Sequence, residues 1–493
     1  MISPDLKTFK GLAKDANVIP IHRDIDVDFD TPCSLYLKME GGAHSFLLES
    51  LEGGEKFGRY SFIGLRPHLI FRARGRTIWV ETRHGLEERH DVNPVEELRR
   101  LFHGFRPAMT PGLPRFFGGA VGYLAYDIVK LLESRIPDTL PDKAGFNDIH
   151  LLFPRIILVH DNLKMTLKII YNAYLEEGTD VDDAYEHGVQ VMEGVERKIR
   201  KGLDYPVSRY DSPPGVILAP EMDKERFLEI VDLAKEYIRA GDCIQIVLSQ
   251  RFSGKNPMDT FHIYRTLRRI NPSPYLFYLK LGDETLIGSS PEILVRLTGR
   301  QVYVRPIAGT RPRGRTEEED RALEAELRED PKERAEHLML VDLGRNDIGR
   351  VCKMGSVRVE DFLSVERYSH VMHLVSGVTG ELEQGRDMFD CLKACFPAGT
   401  VSGAPKIRAM EIIEELETSR RGPYAGAVGY FGFGGNMDLA ITIRTLCQKG
   451  DTLYLQAGAG IVADSVPENE WQETLNKAKA LMRAVEQSGK ALD

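Results

Sequence analysis

Acidic side chains recur at helical spacing in two segments of this chain. In the last predicted helix, Glu470, Glu473 and Lys477 lie three and four residues apart, so their side chains share one helix face. Glu333 and Glu336 form a second such pair upstream. Two helices that each present carboxylates at this spacing can hold one Mg²⁺ ion, which prefers carboxylate oxygens and keeps several waters. The same spacing is also typical of a solvated helix face with Glu–Lys pairs.

Four turns rich in small residues, all in the second half of the chain, are candidate anion sites. They are GSSPE, PIAGTRPRG, PAGTVSGAPK and QAGAGIV, and each follows or joins strand-like runs. Glycine lets backbone N–H groups approach an anion closely, and Arg305, Arg311, Arg313 and Arg444 lie nearby in sequence. None of the turns matches a phosphate loop or a dinucleotide-binding motif. Each alone is an ordinary tight turn, but together they favour a small polyanionic ligand.

Two single ionisable residues are candidates for proton transfer. In HVMHLVSG, strand alternation places His373 on the same side as Val371 and Val375. It is either a core histidine with a satisfied hydrogen bond or a general acid or base. Glu292 ends GSSPE directly after a proline, and it is either a surface turn residue or a positioned acid.

Composition excludes several classes of protein. The 493 residues carry a formal net charge of −9, which gives no electrostatic reason to bind nucleic acid or an anionic membrane surface. No apolar run approaches the roughly 20 residues of a membrane span, and the N-terminus lacks a secretory apolar core. The six cysteines form no CxxC pair, so neither a disulfide framework nor a structural zinc site is expected. We expect a cytoplasmic protein.

The elements that position these residues are grouped rather than strictly alternating. Grouped strands and helices predict an α+β fold with antiparallel sheet. Strands are predicted at SLYLKM and HSFLLESLE, a helix after Asn93, one long helix over 316–343 and a closing helix over 467–486. A polar, proline-containing stretch at 203–219 predicts a boundary between a region 1–205 and a region 220–488.

Residues 220–488 resemble the chorismate-utilising enzymes. The resemblance rests on PIAGTRPRG, HLMLVDLGRNDIGRV, RYSHVMHLVSGV, GTVSGAPKIRAMEII, GAVGYFG, TIRT and QAGAGIVADSVPENEWQET, in colinear order. FLLES, GGEKFGRYSFIG and NPSPYLFY resemble the anthranilate synthase component I branch in particular. The resemblance implies antiparallel sheets packed as a sandwich with helices outside. It also implies an N-terminal regulatory region and a chorismate-binding catalytic domain.

Three features favour this branch over its neighbours. Gln245 stands where branches that add water to chorismate carry a lysine, which fits ammonia as the nucleophile. Ala308 gives PIAGT, where aminodeoxychorismate synthases usually read PIKGT. Ser50 and Pro274-Tyr275-Leu276 match the tryptophan feedback site, although Met is common at the position of Leu276. The alternatives are an aminodeoxychorismate synthase component I and, in a different class, a catalytically silent tryptophan sensor.

The resemblance also implies roles for single residues. Glu336 and Glu473 resemble the Mg²⁺ ligands, supported by Glu333 and Glu470. Glu292 resembles the acid that protonates the departing 4-hydroxyl, and His373 resembles the residue needed to expel pyruvate. With Gln245 and Thr310 these two complete the predicted catalytic set. The predicted chorismate contacts are Gly309, Thr310, Tyr430, Arg444, Gly458, Ala459, Gly460 and Lys477. The predicted tryptophan contacts are Ser50, Pro274, Tyr275 and Leu276.

The implied activity is the Mg²⁺-dependent conversion of chorismate and ammonia to anthranilate and pyruvate, the first step of tryptophan biosynthesis, with feedback inhibition by tryptophan. None of the six cysteines has the GxCxG form of a glutaminase nucleophile. The resemblance therefore implies a separate glutamine amidotransferase subunit, component II, in a hetero-oligomer with two copies of each subunit. No nucleic-acid or membrane partner is expected.

Overall fold

Antiparallel strands form the centre of the molecule. The computed structural model of the chain describes residues 2–39, 41–50, 58–203, 216–368 and 371–488. The strands are β1 (Val18–Asp26), β2 (His44–Glu49), β3 (Tyr60–Arg74), β4 (Thr77–Thr82), β5 (Gly85–Arg89), β6 (Gly119–Leu124), β7 (Ile149–Asp161), β8 (Thr166–Tyr174), β9 (Ala219–Pro220), β10 (Gln245–Lys255), β11 (Tyr275–Leu281), β12 (Glu284–Ser290), β13 (Ile293–Thr298), β14 (Gln301–Val304), β15 (Ile307–Pro312), β16 (Arg358–Arg367), β17 (Val371–Glu381), β18 (Gly403–Ala404), β19 (Ala427–Gly432), β20 (Met437–Ile441), β21 (Thr445–Lys449) and β22 (Thr452–Ile461).

Helices connect and cover the strands. The α-helices are α1 (Leu6–Leu12), α2 (Pro32–Lys38), α3 (Pro94–Gly104), α4 (Val129–Leu132), α5 (Val181–Arg200), α6 (Lys224–Arg239), α7 (Thr260–Ile270), α8 (Glu317–Glu329), α9 (Pro331–Gly349), α10 (Met388–Cys395), α11 (Lys406–Leu416) and α12 (Pro467–Ser488). Two short 3₁₀ helices cover Tyr126–Ile128 and Gly399–Val401. Of the helices that the structure describes, none combines the length and apolar character needed to cross a membrane.

Two series of strands diverge from the paired strands β3 and β7. One runs β3–β2–β11–β12–β21–β22–β10, and the other runs β7–β6–β19–β20–β13–β14–β17. The pairings between the named strands are antiparallel. Each series therefore joins strands from before residue 205 to strands from after residue 220 by backbone hydrogen bonds.

The two series pack face to face around a shared core. In β11, Phe277 packs into this inner core, while its neighbour Leu276 packs into an outer core. In β19, Val428 and Ala427 divide in the same way between the inner core and a second outer core. Buried side chains of α2, α7 and α12 belong to one outer core, and those of α3 and α10 belong to the other. The predicted α+β sandwich with helices outside is confirmed.

Two predicted elements are wrong. SLYLKM lies largely in helix α2, because Thr31 and Ser34 form a capping box and Pro32 fits the first turn of a helix. The predicted helix over 316–343 is two helices, α8 and α9. Asp330 has an extended conformation between them and accepts hydrogen bonds from the N–H groups of Lys332 and Glu333. The following proline has no N–H to continue α8, so the chain turns there.

Other expectations hold. Asn93 caps α3 by accepting hydrogen bonds from the N–H groups of Val95 and Glu96, and the closing helix is present as α12. The predicted domain boundary falls largely on residues outside the described ranges, so the division at 205–220 stays a prediction.

Candidate active site

Helices α9 and α12 bring two of the predicted carboxylates to one place. The side-chain amide of Gln245, on β10, faces the Glu336 carboxylate and favours its charged form. Burial raises the pKa of Glu336, and the negative charges of Glu333 and Glu473 act in the same direction. Carboxylates that repel one another across two helices lower their energy by sharing a cation. The pair predicted as metal ligands is therefore brought together with Gln245.

Lys477 connects this acidic group to strand β22. Its Nζ lies 2.7 Å from Oε1 of Glu473 and donates to the carbonyl oxygen of Gly458 at 2.9 Å. Its own carbonyl oxygen accepts a hydrogen bond of 2.8 Å from Nη1 of Arg444. Two cationic side chains thus stand beside the strand whose backbone was predicted to contact chorismate.

The backbone of Arg444 has a conformation that few residues other than glycine adopt. Its φ is +52°, in the left-handed region. Burial lowers the pKa of Arg444, and in the described part of the chain its side chain bonds to a carbonyl and makes no direct ion pair with a carboxylate. A desolvated guanidinium with unused donors is suited to an anionic ligand.

Two glycines let neighbouring side chains approach the backbone of β22. A Cβ atom on Gly460 would lie 2.6 Å from Nε2 of Gln245, and one on Gly458 would lie 2.7 Å from Oη of Tyr424. Both distances are too short for any other residue. β10 pairs with one edge of this stretch, and the pairing of β21 with the other edge ends at Leu455. The second edge at Gly458–Gly460 is therefore open to a ligand among the described strands.

His373 carries its proton on the nitrogen that faces the protein. Its Nδ1 lies 2.9 Å from the carbonyl oxygen of Gly309, which can only accept, and 3.1 Å from Oγ1 of Thr310. Burial lowers the pKa of His373, and the charge of Arg444 adds to this effect. The imidazole is therefore neutral near pH 7 with an unprotonated Nε2, which is the form of a general base. Gly309 itself has φ +69° and packs against Glu333.

Glu292 keeps its proton at neutral pH, whereas His373 has an unprotonated nitrogen. Burial raises its pKa to about 8, although the Thr400 hydroxyl and the charge of Lys477 partly oppose the shift. Its carbonyl oxygen accepts from the N–H of Ile441 at 3.0 Å, which fixes the turn after β12. At neutral pH this partly buried side chain is a carboxylic acid, which can donate a proton.

A separate cavity of about 90 Å³ lies between the ends of β2, β11 and β19. All four residues predicted to contact tryptophan line it, namely Ser50, Pro274, Tyr275 and Leu276. The hydroxyl of Ser50 is buried, and the described residues offer it no hydrogen-bond partner. A buried donor without a partner suits a ligand with a polar end.

The structure does not bring Tyr430 to the group around Glu336 and His373. Tyr430 lines the second cavity, and its neighbours are Phe62 and Phe116. Tyr424 instead reaches Gly458, and the charge of Arg444 acts on it. Sequence reasoning missed Tyr424 because RRGPYAGAVGY contains two tyrosines, and spacing does not tell which one faces the glycines of β22.

The residues present fit a hard cation with few protein ligands. Within the described ranges, no group of three or more His, Cys, Asp or Glu side chains is arranged to hold a metal ion. Glu336 and Glu473 supply two carboxylates, which would leave the remaining positions to water and an anionic ligand. Mg²⁺ is bound in this way in many enzymes.

The amino-acid sequence matches a known protein family. A sequence model of the family described as chorismate binding enzyme matches residues 44–483. The chain belongs to the chorismate binding enzyme family. The prediction of a chorismate-utilising enzyme is thereby confirmed.

Two curated relatives of this chorismate binding enzyme carry the name anthranilate synthase component 1. The protein from Aquifex aeolicus is 50% identical over 483 residues, covering 98% of this chain and 97% of the relative. The protein from Acetivibrio thermocellus is 48% identical over 494 residues, covering 99% of each. The resemblance to the component I branch is confirmed.

Solved structures agree on the fold. Anthranilate synthase component I from Streptococcus pneumoniae is 40% identical with a TM-score of 0.77, covering 88% of this chain and 95% of that one. The menaquinone-specific isochorismate synthase from Escherichia coli is 21% identical with a TM-score of 0.69, covering 98% and 99%. At that identity the second likeness concerns the fold alone.

Proposed function

We propose that this chain is component 1 of anthranilate synthase, a lyase that converts chorismate and ammonia to anthranilate and pyruvate in tryptophan biosynthesis. The observation that carries the proposal is the presence of a partly buried acid with a raised pKa, Glu292, and a base with a lowered pKa, His373. The charge of Lys477 acts on Glu292, and the charge of Arg444 acts on His373. Lys477 also bonds to Arg444 and to Gly458 on the open edge of β22. Relatives of that name, similar over nearly the whole chain, support the same reaction.

Chorismate is a dianion, and Arg444 and Lys477 supply positive charge for its carboxylates. In the first step Glu292 donates its proton to the 4-hydroxyl, the C–O bond breaks and water leaves. Ammonia forms the new C–N bond and gives up a proton. In the second step Nε2 of His373 takes the proton from the aminated ring carbon. The C–O bond to the enolpyruvyl group then breaks, the ring becomes aromatic, and the released enolpyruvate takes up a proton to give pyruvate.

Gln245 supports ammonia rather than water as the nucleophile. Its amide is buried between Glu336 and Gly460, and a neutral amide cannot deprotonate a water molecule. Chain residues Glu336 and Glu473 would hold Mg²⁺, which supplies positive charge for the ring carboxylate. Both assignments are part of the proposal.

Tryptophan inhibition is proposed for the second cavity. Its aromatic and aliphatic lining suits an indole ring, and the unpartnered Ser50 hydroxyl suits a polar group of an amino acid. The proposal also includes a cytoplasmic glutamine amidotransferase subunit that supplies ammonia, with two copies of each subunit. The name component 1 of the relatives supports a second component.

The test is turnover by the purified chain. Chorismate, Mg²⁺ and ammonium should give fluorescent anthranilate and one pyruvate for each anthranilate, and added tryptophan should stop the reaction. An aminodeoxychorismate synthase would form a non-fluorescent amino product without pyruvate, and Ala308 argues against it. Tryptophan binding without turnover would identify the silent sensor and overturn the proposal.

A further inference from the structure

Arg421 lies behind the candidate active site with nearly its whole side chain enclosed. The side chain is 1% exposed, and that of Glu417, its ion-pair partner, is 3% exposed. Arg421 donates from Nε to Glu417 at 2.9 Å and from Nη2 at 2.6 Å. Two further bonds of 2.7 Å run from Nη1 to the carbonyl of Val401 and from Nη2 to that of Val247. The guanidinium fork is thus fixed by partners on three chain segments.

Glu417 is fixed from its other side. Its Oε1 accepts from the N–H of Ser249 at 2.9 Å and from the hydroxyl of Ser249 at 2.7 Å. The amide of Gln456 donates to the same hydroxyl at 2.9 Å. The ion pair is therefore anchored to β10 and β22, the two strands that form the glycine-rich edge of the site.

The anchors of Arg421 lie next to site residues in each segment. Val247 pairs with Gly460 and Ser249 pairs with Gly458 in the register of β10 and β22. Val401 follows Thr400, whose hydroxyl faces the Glu292 carboxyl. Through these partners one side chain contacts the backbone behind both the ligand-facing strand and the acid.

Arg421 also contacts Tyr424 directly. The centre of its guanidinium lies 5.7 Å from the ring centroid of Tyr424 and 4.6 Å from that of Tyr126. Tyr424 is the residue whose hydroxyl approaches Gly458. A planar guanidinium restricts an aromatic ring in a way that a lysine ammonium cannot.

Stability alone does not account for this arrangement. Enclosing an ion pair removes both charges from water, and well-packed apolar residues often serve the fold equally well. A fully bonded, planar cation instead specifies one geometry. Among the groups beside this cation is Tyr424, whose hydroxyl approaches Gly458.

We propose that Arg421 is a positioning residue for the reaction, which holds the Tyr424 hydroxyl at Gly458 and so shapes the edge that receives chorismate. This inference rests on the proposed function of the same site. Arg421 does not contact the ligand-facing edge itself and acts through Tyr424.

The test is a double-mutant cycle on kcat/KM for chorismate. We expect Arg421→Lys and Tyr424→Phe each to lower kcat/KM about tenfold, chiefly by raising KM, because both loosen the same contact. The double variant should then lose about tenfold as well, rather than about a hundredfold. A full hundredfold loss would mean that the two residues act independently. Wild-type kinetics in Arg421→Lys would also overturn the proposal.

Matched variants separate positioning from folding. Arg251→Lys is the control, because Arg251 is also buried, pairs with Glu221 and lies over the ring of Tyr454, which is not among the site residues. It should leave KM unchanged. If Arg421→Lys does not fold, Arg421→Met with Glu417→Leu removes both charges together, and the raised KM should persist at normal melting temperature. A normal KM in that folded variant would overturn the proposal.

Calorimetric measurement of chorismate binding tests the inference without turnover. If the wild-type chain forms no anthranilate, that result overturns the proposed function alone, and the effect of Arg421→Lys on chorismate binding still tests the role of Arg421.

Discussion

At the scale of single residues, burial assigns the acid and the base. Glu292 and His373 are both partly withdrawn from water, which favours the neutral form of each. For a carboxyl the neutral form is the proton donor, and for an imidazole it is the acceptor. The same physical cause would therefore prepare both of the proposed proton transfers at neutral pH.

The first prediction concerns the pH dependence of the acid. With free ammonia held constant, kcat should fall as the pH rises through about 8, because Glu292 then loses its proton. Glu292→Gln should lower kcat by about 10²–10⁴-fold and abolish this fall, since an amide has no proton to donate. Anthranilate fluorescence in fixed-time assays across the pH range measures both kcat and its fall with pH. A mutant that keeps the wild-type fall would show that another group titrates.

Stability gives an independent check on the same carboxyl. A carboxyl whose pKa is raised on folding stabilises the protein in its protonated form, so the contribution is lost as the pH rises from about 4.5 to about 8. The melting temperature of the wild type should therefore fall relative to Glu292→Gln between about pH 5 and pH 8.5. A constant difference across that range would contradict a buried acid at this position.

Sequence alone leaves such residues undecided. Spacing identified Glu292 and His373 as ionisable groups near turns and apolar rows, but their surroundings decide between a structural and a chemical role. Those surroundings come from segments far away in sequence, such as Arg444 beside His373. The choice between Tyr424 and Tyr430 depends in the same way on which strand packs against which.

At the scale of elements, α9 and α12 work as a pair. The break at Asp330 lets α9 begin at Pro331 and present Glu333 and Glu336 in its first two turns. An uninterrupted helix from 316 would have continued the direction of α8. The position of the α9 carboxylates therefore depends on one capping residue, Asp330. The charge pattern of the sequence did not reveal this cap.

The second prediction concerns the metal pair. Glu473→Gln removes one carboxylate from the group and should raise the Mg²⁺ concentration needed for half-maximal activity by at least about tenfold. Glu468→Gln on the same helix is the control, because Glu468 pairs with Lys224 at the surface. A Mg²⁺ titration of ammonia-dependent turnover measures the change. Equal Mg²⁺ requirements in the two variants would remove Glu473 from the metal site.

Individual strands connect the second cavity with the candidate active site. Tyr430 lies on β19, six residues after Tyr424, and both Asp438 and Ala440 of β20 line the cavity a few residues before Arg444. Tyr275 pairs with Ser290, two residues before Glu292. A ligand that shifts the cavity wall thus acts on elements that carry the acid, the cation and the tyrosine.

The third prediction concerns this cavity. Ser50→Phe places a ring in the space beside Tyr275 and should raise the tryptophan concentration for half-inhibition at least about tenfold. Ser50→Ala removes only the hydroxyl and should have a smaller effect, which separates lost bonding from lost space. By linkage, saturating chorismate should weaken tryptophan binding to the parent chain. Inhibition of Ser50→Phe at the parental tryptophan concentration would exclude Ser50 from the site.

The α+β class with antiparallel sheet could be predicted from the grouping of strands and helices, and the family resemblance implied the sandwich. The start of α2 and the break between α8 and α9 depended instead on capping. SLYLKM has a strand-like composition, yet the capping box at Thr31 starts a helix there. Composition gives the average preference of a segment, and a single hydrogen bond at its start can override it.

At the scale of the whole molecule, the two predicted regions share their sheets. β2 pairs with β11, and β6 pairs with β19, over most of their lengths. The fourth prediction is that a chain limited to residues 220–488 does not fold into a soluble monomer, because β11 and β19 would become long unpaired edges. Circular dichroism and size-exclusion chromatography test this. A soluble fragment with cooperative thermal unfolding would show that the regions fold separately.

The source of ammonia follows from the cysteines. Glutamine hydrolysis by a cysteine nucleophile needs a thiolate in an accessible and electropositive environment. Five of the six cysteines are buried and Cys33 is half-buried. Burial raises the pKa of Cys33 and Cys391 to about 12 and that of Cys243 and Cys352 to about 11. Burial also raises the pKa of Cys395 and of Cys447. These thiols stay protonated at neutral pH, so none is prepared for nucleophilic attack.

The last prediction is that the purified chain forms anthranilate from ammonium but not from glutamine. Its rate with ammonium should rise with pH over the range in which the ammonium ion loses its proton, until the loss of the Glu292 proton near pH 8 opposes the gain. Addition of a glutamine amidotransferase subunit should restore activity with glutamine near neutral pH, because direct transfer between subunits delivers ammonia before water protonates it. Anthranilate formed from glutamine by the chain alone, in a preparation free of glutaminase, would contradict the need for a partner.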